Sequence, residues 1–174
     1  MTAQHTTPGH QSFQLKPIKK EGIGRALEKA KQYRLLNEPL EAESICRDIL
    51  AIEPDNQVVI IELILTLTDQ FVKRHLAKEA NSLVSKLQGK YEQKYYKALI
   101  LERQGKTALM KGYPGCEFDA YEWLEEAMHI FEEADTLSQP ENNDAILRWN
   151  TCVRIISDRN LGPRPEDNHV SLLE

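Results

Sequence analysis

A recurring spacing of small and bulky side chains constrains the fold of this chain more than any other feature. Ala42, Cys46 and Ile49 step by 4 and then 3, as do Ala80, Val84 and Leu87, and Ala127, Phe131 and Ala134. Steps of 3 and 4 place side chains on one face of a helix. A small residue lets two helices cross closely, a larger one fills the space beside the crossing, and the next adds a second packing site. Pro54 and Pro140 follow the first and third sets, where they cannot continue a helix. The spacing predicts one helix-packing unit used several times.

The rest of the chain supplies the partner helices. Ala30 and Tyr33, Ile64 and Leu67, and Ala98 and Leu101 stand at matching places ahead of the three sets. The separations Ala30 to Ala42, Ile64 to Ala80 and Ala98 to Ala127 are 12, 16 and 29 residues. They imply an insertion near Phe71–Arg74 and a larger one around 107–123. Breakers at 37–39, 53–56, 88–90, 112–115 and 138–143 delimit helices near 22–36, 40–52, 57–71, 74–88, 91–110, 117–137 and 143–157. The connections are short, so neighbouring helices should be antiparallel. Residues 1–20 and 158–174 are polar or Gly/Pro-bearing and are expected to be disordered or flexible tails around a helical domain over 21–157.

The apolar stretch Val58–Leu67 contains β-branched residues but lacks alternation, so it predicts a helix buried on nearly all sides. Glu62 and Thr66 interrupt it, and no apolar run approaches the roughly 18 residues needed to span a bilayer. Met1–Gln14 lacks a basic start and an apolar middle, so no secretory signal is expected. Three scattered cysteines, Cys46, Cys116 and Cys152, form no disulfide framework and fit a reducing, cytoplasmic setting. The net charge of −5 conceals a polarity. Through Cys116 there are 18 Lys and Arg against 13 Asp and Glu, and from Glu117 onward 4 against 14. The acidic run reads first as a solvated helix face, and the opposite signs of the two halves would allow self-association. Basic residues do not cluster with aromatics, which argues against nucleic acid as a partner.

The segment EAESICRDILAIEPDN, which closes a 34-residue unit over Ile23–Asn56, resembles the second helix of the tetratricopeptide repeat family. YEQKYYKALILERQGK is similar to a family first helix ending at Gly105, and EWLEEAMHIFEEADTLSQPEN to a second helix. The middle unit closes on Gln88 and Gly89 in place of proline. The resemblance covers roughly Ile23–Ser157 and implies an all-α, short right-handed solenoid of about three helical pairs. Asn143–Ser157 would be the capping helix, with Ile146, Trp149 and Val153 on its packing side.

Catalytic motifs are absent. The sequence contains no His-Glu-x-x-His, Gly-x-Ser-x-Gly, phosphate-cradling loop or Gly-x-Gly-x-x-Gly. Glu126 and His129 have the spacing of a dimetal helix, but the second match, Glu166 and His169, follows two prolines. A metal-binding helical bundle is therefore the minor alternative, and neither a metal nor a cofactor is expected. Cys46 reads as a core residue, His75 as a surface histidine, and Cys116 as a turn thiol disfavoured by acidic neighbours. The chain reads as a non-catalytic module that binds another protein.

In the register that the resemblance implies, first helices line the concave face. Leu27, Lys31 and Arg34 would line it in the first unit, Ile61, Leu65 and Thr68 in the second, and Tyr95, Leu99 and Glu102 in the third. The expected groove is apolar at its middle and suited to a peptide or helix, and only Lys31 stands where family members clamp a terminal carboxylate. A related reading resembles the small repeat-type chaperones of bacterial secretion systems, which hold hydrophobic segments. Tyr113, Phe118, Tyr121 and Trp123 form a second candidate surface, because aromatics at these steps cannot all face one way.

Overall fold

The computed structural model describes residues 14–165. A 3-10 turn at Lys20–Gly22 leads into seven helices: α1 (Ile23–Leu35), α2 (Pro39–Leu50), α3 (Gln57–Thr68), α4 (Ala77–Val84), α5 (Lys90–Lys111), α6 (Cys116–Asp135) and α7 (Asp144–Arg159). No strand occurs among the described residues. The fold is all-α, and no helix is long and apolar enough to cross a membrane among the described residues.

The helix ends follow from local chemistry. Pro39 opens α2, where its missing N–H costs nothing. The Asn56 side chain caps α3 by accepting from the Val59 N–H at 3.2 Å. Asn37 adopts φ 60°, and the Glu38 N–H returns to the Tyr33 carbonyl at 2.9 Å, closing α1. Gly112 at φ 63° and Gly115 at φ 80° turn the chain from α5 into α6, in backbone conformations that a side chain would strain.

Each helix packs on the next one in the chain. The odd-numbered helices also approach one another in sequence, α1 on α3, α3 on α5 and α5 on α7, whereas the backbones of α2, α4 and α6 stay apart among the described residues and α2 and α4 are bridged by the Arg47–Glu79 ion pair at 2.7 Å. A first core joins α1 to α4 and includes Cys46, Ile49, Ile60, Leu63 and Phe71. A second core joins α5 to α7 around Leu99, Leu124 and Phe131, with Leu65 of α3 packed against it. Helix α5 is the shared wall: Ile100 belongs to the first core and Leu99 to the second. Helix α3 carries the apolar stretch and has eight buried residues, among them Glu62 and Thr66. Val58 at its start is exposed.

Three expectations need correction. Helix α4 covers only eight residues, because Asp69–Leu76 form turns and irregular backbone instead of helix and the helix ends at Val84, four residues before the expected 88. Gly105 does not end a helix. It lies inside α5, where an added Cβ would sit 3.2 Å from the Ala120 carbonyl and 3.0 Å from Leu124, so glycine permits the close crossing of α5 and α6. The insertion expected near 107–123 is taken up as length, giving α5 22 residues and α6 20 residues, against 13 in α1.

The C-terminal boundary also shifts. Helix α7 continues to Arg159, Asn160 takes φ 49°, and the Leu161 N–H returns to the Ile156 carbonyl at 3.0 Å. Leu161 packs on the second core and on a small cluster of Ala108, Cys116 and Ala120. At the other end, Ile18 packs on the first core. The remaining parts of the two expected tails, 1–13 and 166–174, lie outside the described residues.

Candidate functional site

The row of odd helices carries the first set of candidate residues. Leu27 and Ile61 are half-buried against the first core, and Leu65 is half-buried against the second. Tyr95 stacks on Tyr91 at 5.6 Å and meets the Phe131 edge at 5.8 Å. Lys31 reaches Glu28 at 2.7 Å on its own helix. Thr68, Leu99 and Glu102, expected on the same face, are buried and offer no docking surface. The Thr68 hydroxyl is turned back to the Leu65 carbonyl at 2.7 Å.

Ion pairs cross this row, so it is more polar than the expected apolar groove. Arg34 of α1 donates to Glu62 at 3.1 Å and to Asp69 at 2.8 Å, both on or just after α3. Arg103 of α5 approaches Asp69 at 3.8 Å from the other side. Glu102, fully buried, is held by Lys106 and by Arg148 of α7. Arg34 follows the buried Ala30 by four residues, and Glu102 follows the buried Ala98 by four. Each residue pairs with the next odd helix, and the signs are reversed between the two places.

The four residues of the second candidate surface make different contacts. The Tyr113 hydroxyl donates to Asp119 at 2.7 Å, and burial together with that carboxylate pushes the phenol up to about 12. Phe118 lies under the Arg164 guanidinium at 5.3 Å, and Tyr121 donates to Glu125 at 3.1 Å. Trp123 packs against the cluster around Ala108.

Tyr113 and Trp123 both line a cleft of about 390 Å³. Its other walls are the α3–α4 turns, the start of α4 and the last turns of α5. The cleft exists because α4 is too short to cover the C-terminal end of α5. Phe71 and Leu76 give it an apolar floor, while Arg74, His75, Lys78 and Lys111 line it without a carboxylate. His75 had a surface reading from the sequence, and the three cations had none. They are separated by up to 37 residues, and only the two insertions hinted that something irregular lay there. A second depression of about 580 Å³ lies between Ile18 and α1.

The thiols are chemically quiet. Burial pushes Cys46 and Cys152 up to about 12, and burial with the Glu117 carboxylate raises Cys116, which sits at the start of α6 rather than in an open turn. His129 is exposed and approaches Glu133 at 3.5 Å, and Glu126 is exposed beside it. No group of three potential metal ligands comes together among the described residues. A scan of protein-family models, a search of curated proteins and a search of solved structures each found no match to the chain.

Proposed function

We propose that this protein is a non-catalytic interaction module, a right-handed helical-pair solenoid of the tetratricopeptide type, with three pairs (α1–α2, α3–α4, α5–α6) and α7 as cap. The observation that carries this reading is the contact order. Odd helices approach one another backbone to backbone, whereas even ones do not and α2 and α4 are bridged by the long side chains of Arg47 and Glu79, as expected when pairs stack with first helices on the inner face. The matching interhelical ion pairs Arg34–Glu62 and Glu102–Arg148 support the same register. In this reading the inner face binds a peptide or helix of another protein in the cytoplasm. Leu27, Lys31, Arg34, Ile61, Leu65 and Tyr95 would contact it, because they are the expected groove residues that keep part of their surface open. The mixed lining favours a ligand with an apolar stripe flanked by charge.

The test compares proteins bound by the wild type and by Leu27→Gln/Lys31→Glu from the native lysate, after circular dichroism has shown equal helicity. Retention of a partner by the wild type alone is expected. Equal retention by both forms would remove the inner face as the working surface. Leu65 is a poorer probe, because its packing on the second core ties binding to folding.

A further inference from the structure

The cleft between α4 and α6 has features that the inner-face reading does not use. Lys78, Lys111 and His75 form no ion pair among the described residues, while Arg74 is tied to Glu43 at 2.7 Å. Basic groups around an apolar and aromatic floor suit a ligand that carries carboxylates next to branched apolar side chains. A segment of that composition follows directly on the described chain: Glu166, Asp167, Val170, Leu172, Leu173 and Glu174.

We propose that the cleft is a binding site for an acidic, leucine-bearing peptide segment and that residues 166–174 of this chain are its occupant. The proposal is independent of the inner-face reading. The described chain ends beside the cleft. Arg164 donates to one Asp119 oxygen at 2.7 Å, while Tyr113, a cleft residue, donates to the other at 2.7 Å. The nine residues 166–174 span up to about 30 Å when extended, enough to cross a cleft of this size. In this arrangement Glu166 and Asp167 meet Lys111 and Lys78, and Leu172 and Leu173 cover Tyr113 and Trp123. Attachment through so short a connection places the segment at an effective concentration on the order of millimolar, so weak intrinsic affinity suffices. A partner peptide of the same chemistry would bind by displacing it.

Trp123 reports on the cleft once Trp149, the second tryptophan, is replaced by Phe. Acrylamide quenching of Trp123 is measured in four full-length proteins: the Trp149→Phe background, Lys78→Glu/Lys111→Glu, Glu166→Lys/Asp167→Lys, and the two pairs combined. Each pair alone should raise the quenching constant about twofold, and the combination should bring it back, because surface charge pairs of modest strength are restored with reversed sign. A peptide copy of 166–174 should restore protection to the Glu166→Lys/Asp167→Lys protein. Circular dichroism controls for folding. If the reversed pair loses helicity, Lys78→Ala/Lys111→Ala replaces it as a single variant with the same expected rise in quenching, and the segment variant with its peptide rescue decides in place of the combination. Unchanged quenching in the segment variant overturns the proposal, and so does failure of the combination to restore protection. Protection that vanishes on dilution would assign the cleft to a second copy's segment and overturn the intramolecular form.

Discussion

Arg34 on α1 and Glu62 on α3 meet at 3.1 Å, with the Glu62 side chain only 8% exposed. Glu62 is the single acid in the apolar stretch of α3, and Arg34 makes its burial tolerable by ion pairing. Arg34→Met should lower stability by about 3 kcal/mol in urea unfolding, because the carboxylate is left buried without its cation. Arg34→Met/Glu62→Leu should recover most of that loss. If the single and double variants unfold at the same urea concentration, the pair is incidental.

Glu43 ties stability to pH. Burial alone would raise its carboxyl, but hydrogen bonds from Gln70, Arg47 and Arg74 outweigh burial and hold it below its ordinary 4.5. A depressed folded value means that the stabilisation is present at neutral pH and fades as pH falls from about 4.5 through the folded value. Urea midpoints between pH 7 and pH 3 should show Glu43→Gln as the less stable protein at pH 7, with the gap closing on acidification. A constant gap across that range would contradict the assignment.

Gly105→Ala tests the crossing of α5 and α6. Helix propensity alone favours alanine by about 1 kcal/mol. The new methyl would press on the Ala120 carbonyl and Leu124 at 3.2 and 3.0 Å, and overpacking of that kind costs about 1–3 kcal/mol. Net destabilisation is expected in thermal melts. A rise in Tm would show that the helices separate without cost.

The helices were legible because each rests on a signal carried within one or two turns. Periodic apolar residues, Pro39, Asn56 and Gly112 set ends that agree with the expected intervals to within a few residues for six of the seven helices. Helix α4 is the exception. Residues 69–76 carry no proline or glycine to announce a break, and the turns there are held by contacts such as Gln70 and Arg74 on Glu43. Gly105 misled for a related reason: glycine ends a helix or admits a close neighbour, and only the position of Ala120 distinguishes the two. The groove residues were read by register, which identifies a helix face but not what covers it. Leu99 and Glu102 follow that register and are nonetheless buried.

By itself the sequence determined the all-helical class, the order of the helices and the small residues at their crossings, because periodicity and capping act over a few neighbouring residues. Which charges are buried and paired, and where an open cleft lies, was decided only in the tertiary structure. Arg34 and Glu62 are 28 residues apart, and Arg74 and Lys111 are 37 apart. Burial and electrostatic pairing depend on distance in space, which the chain acquires only when its helices stack.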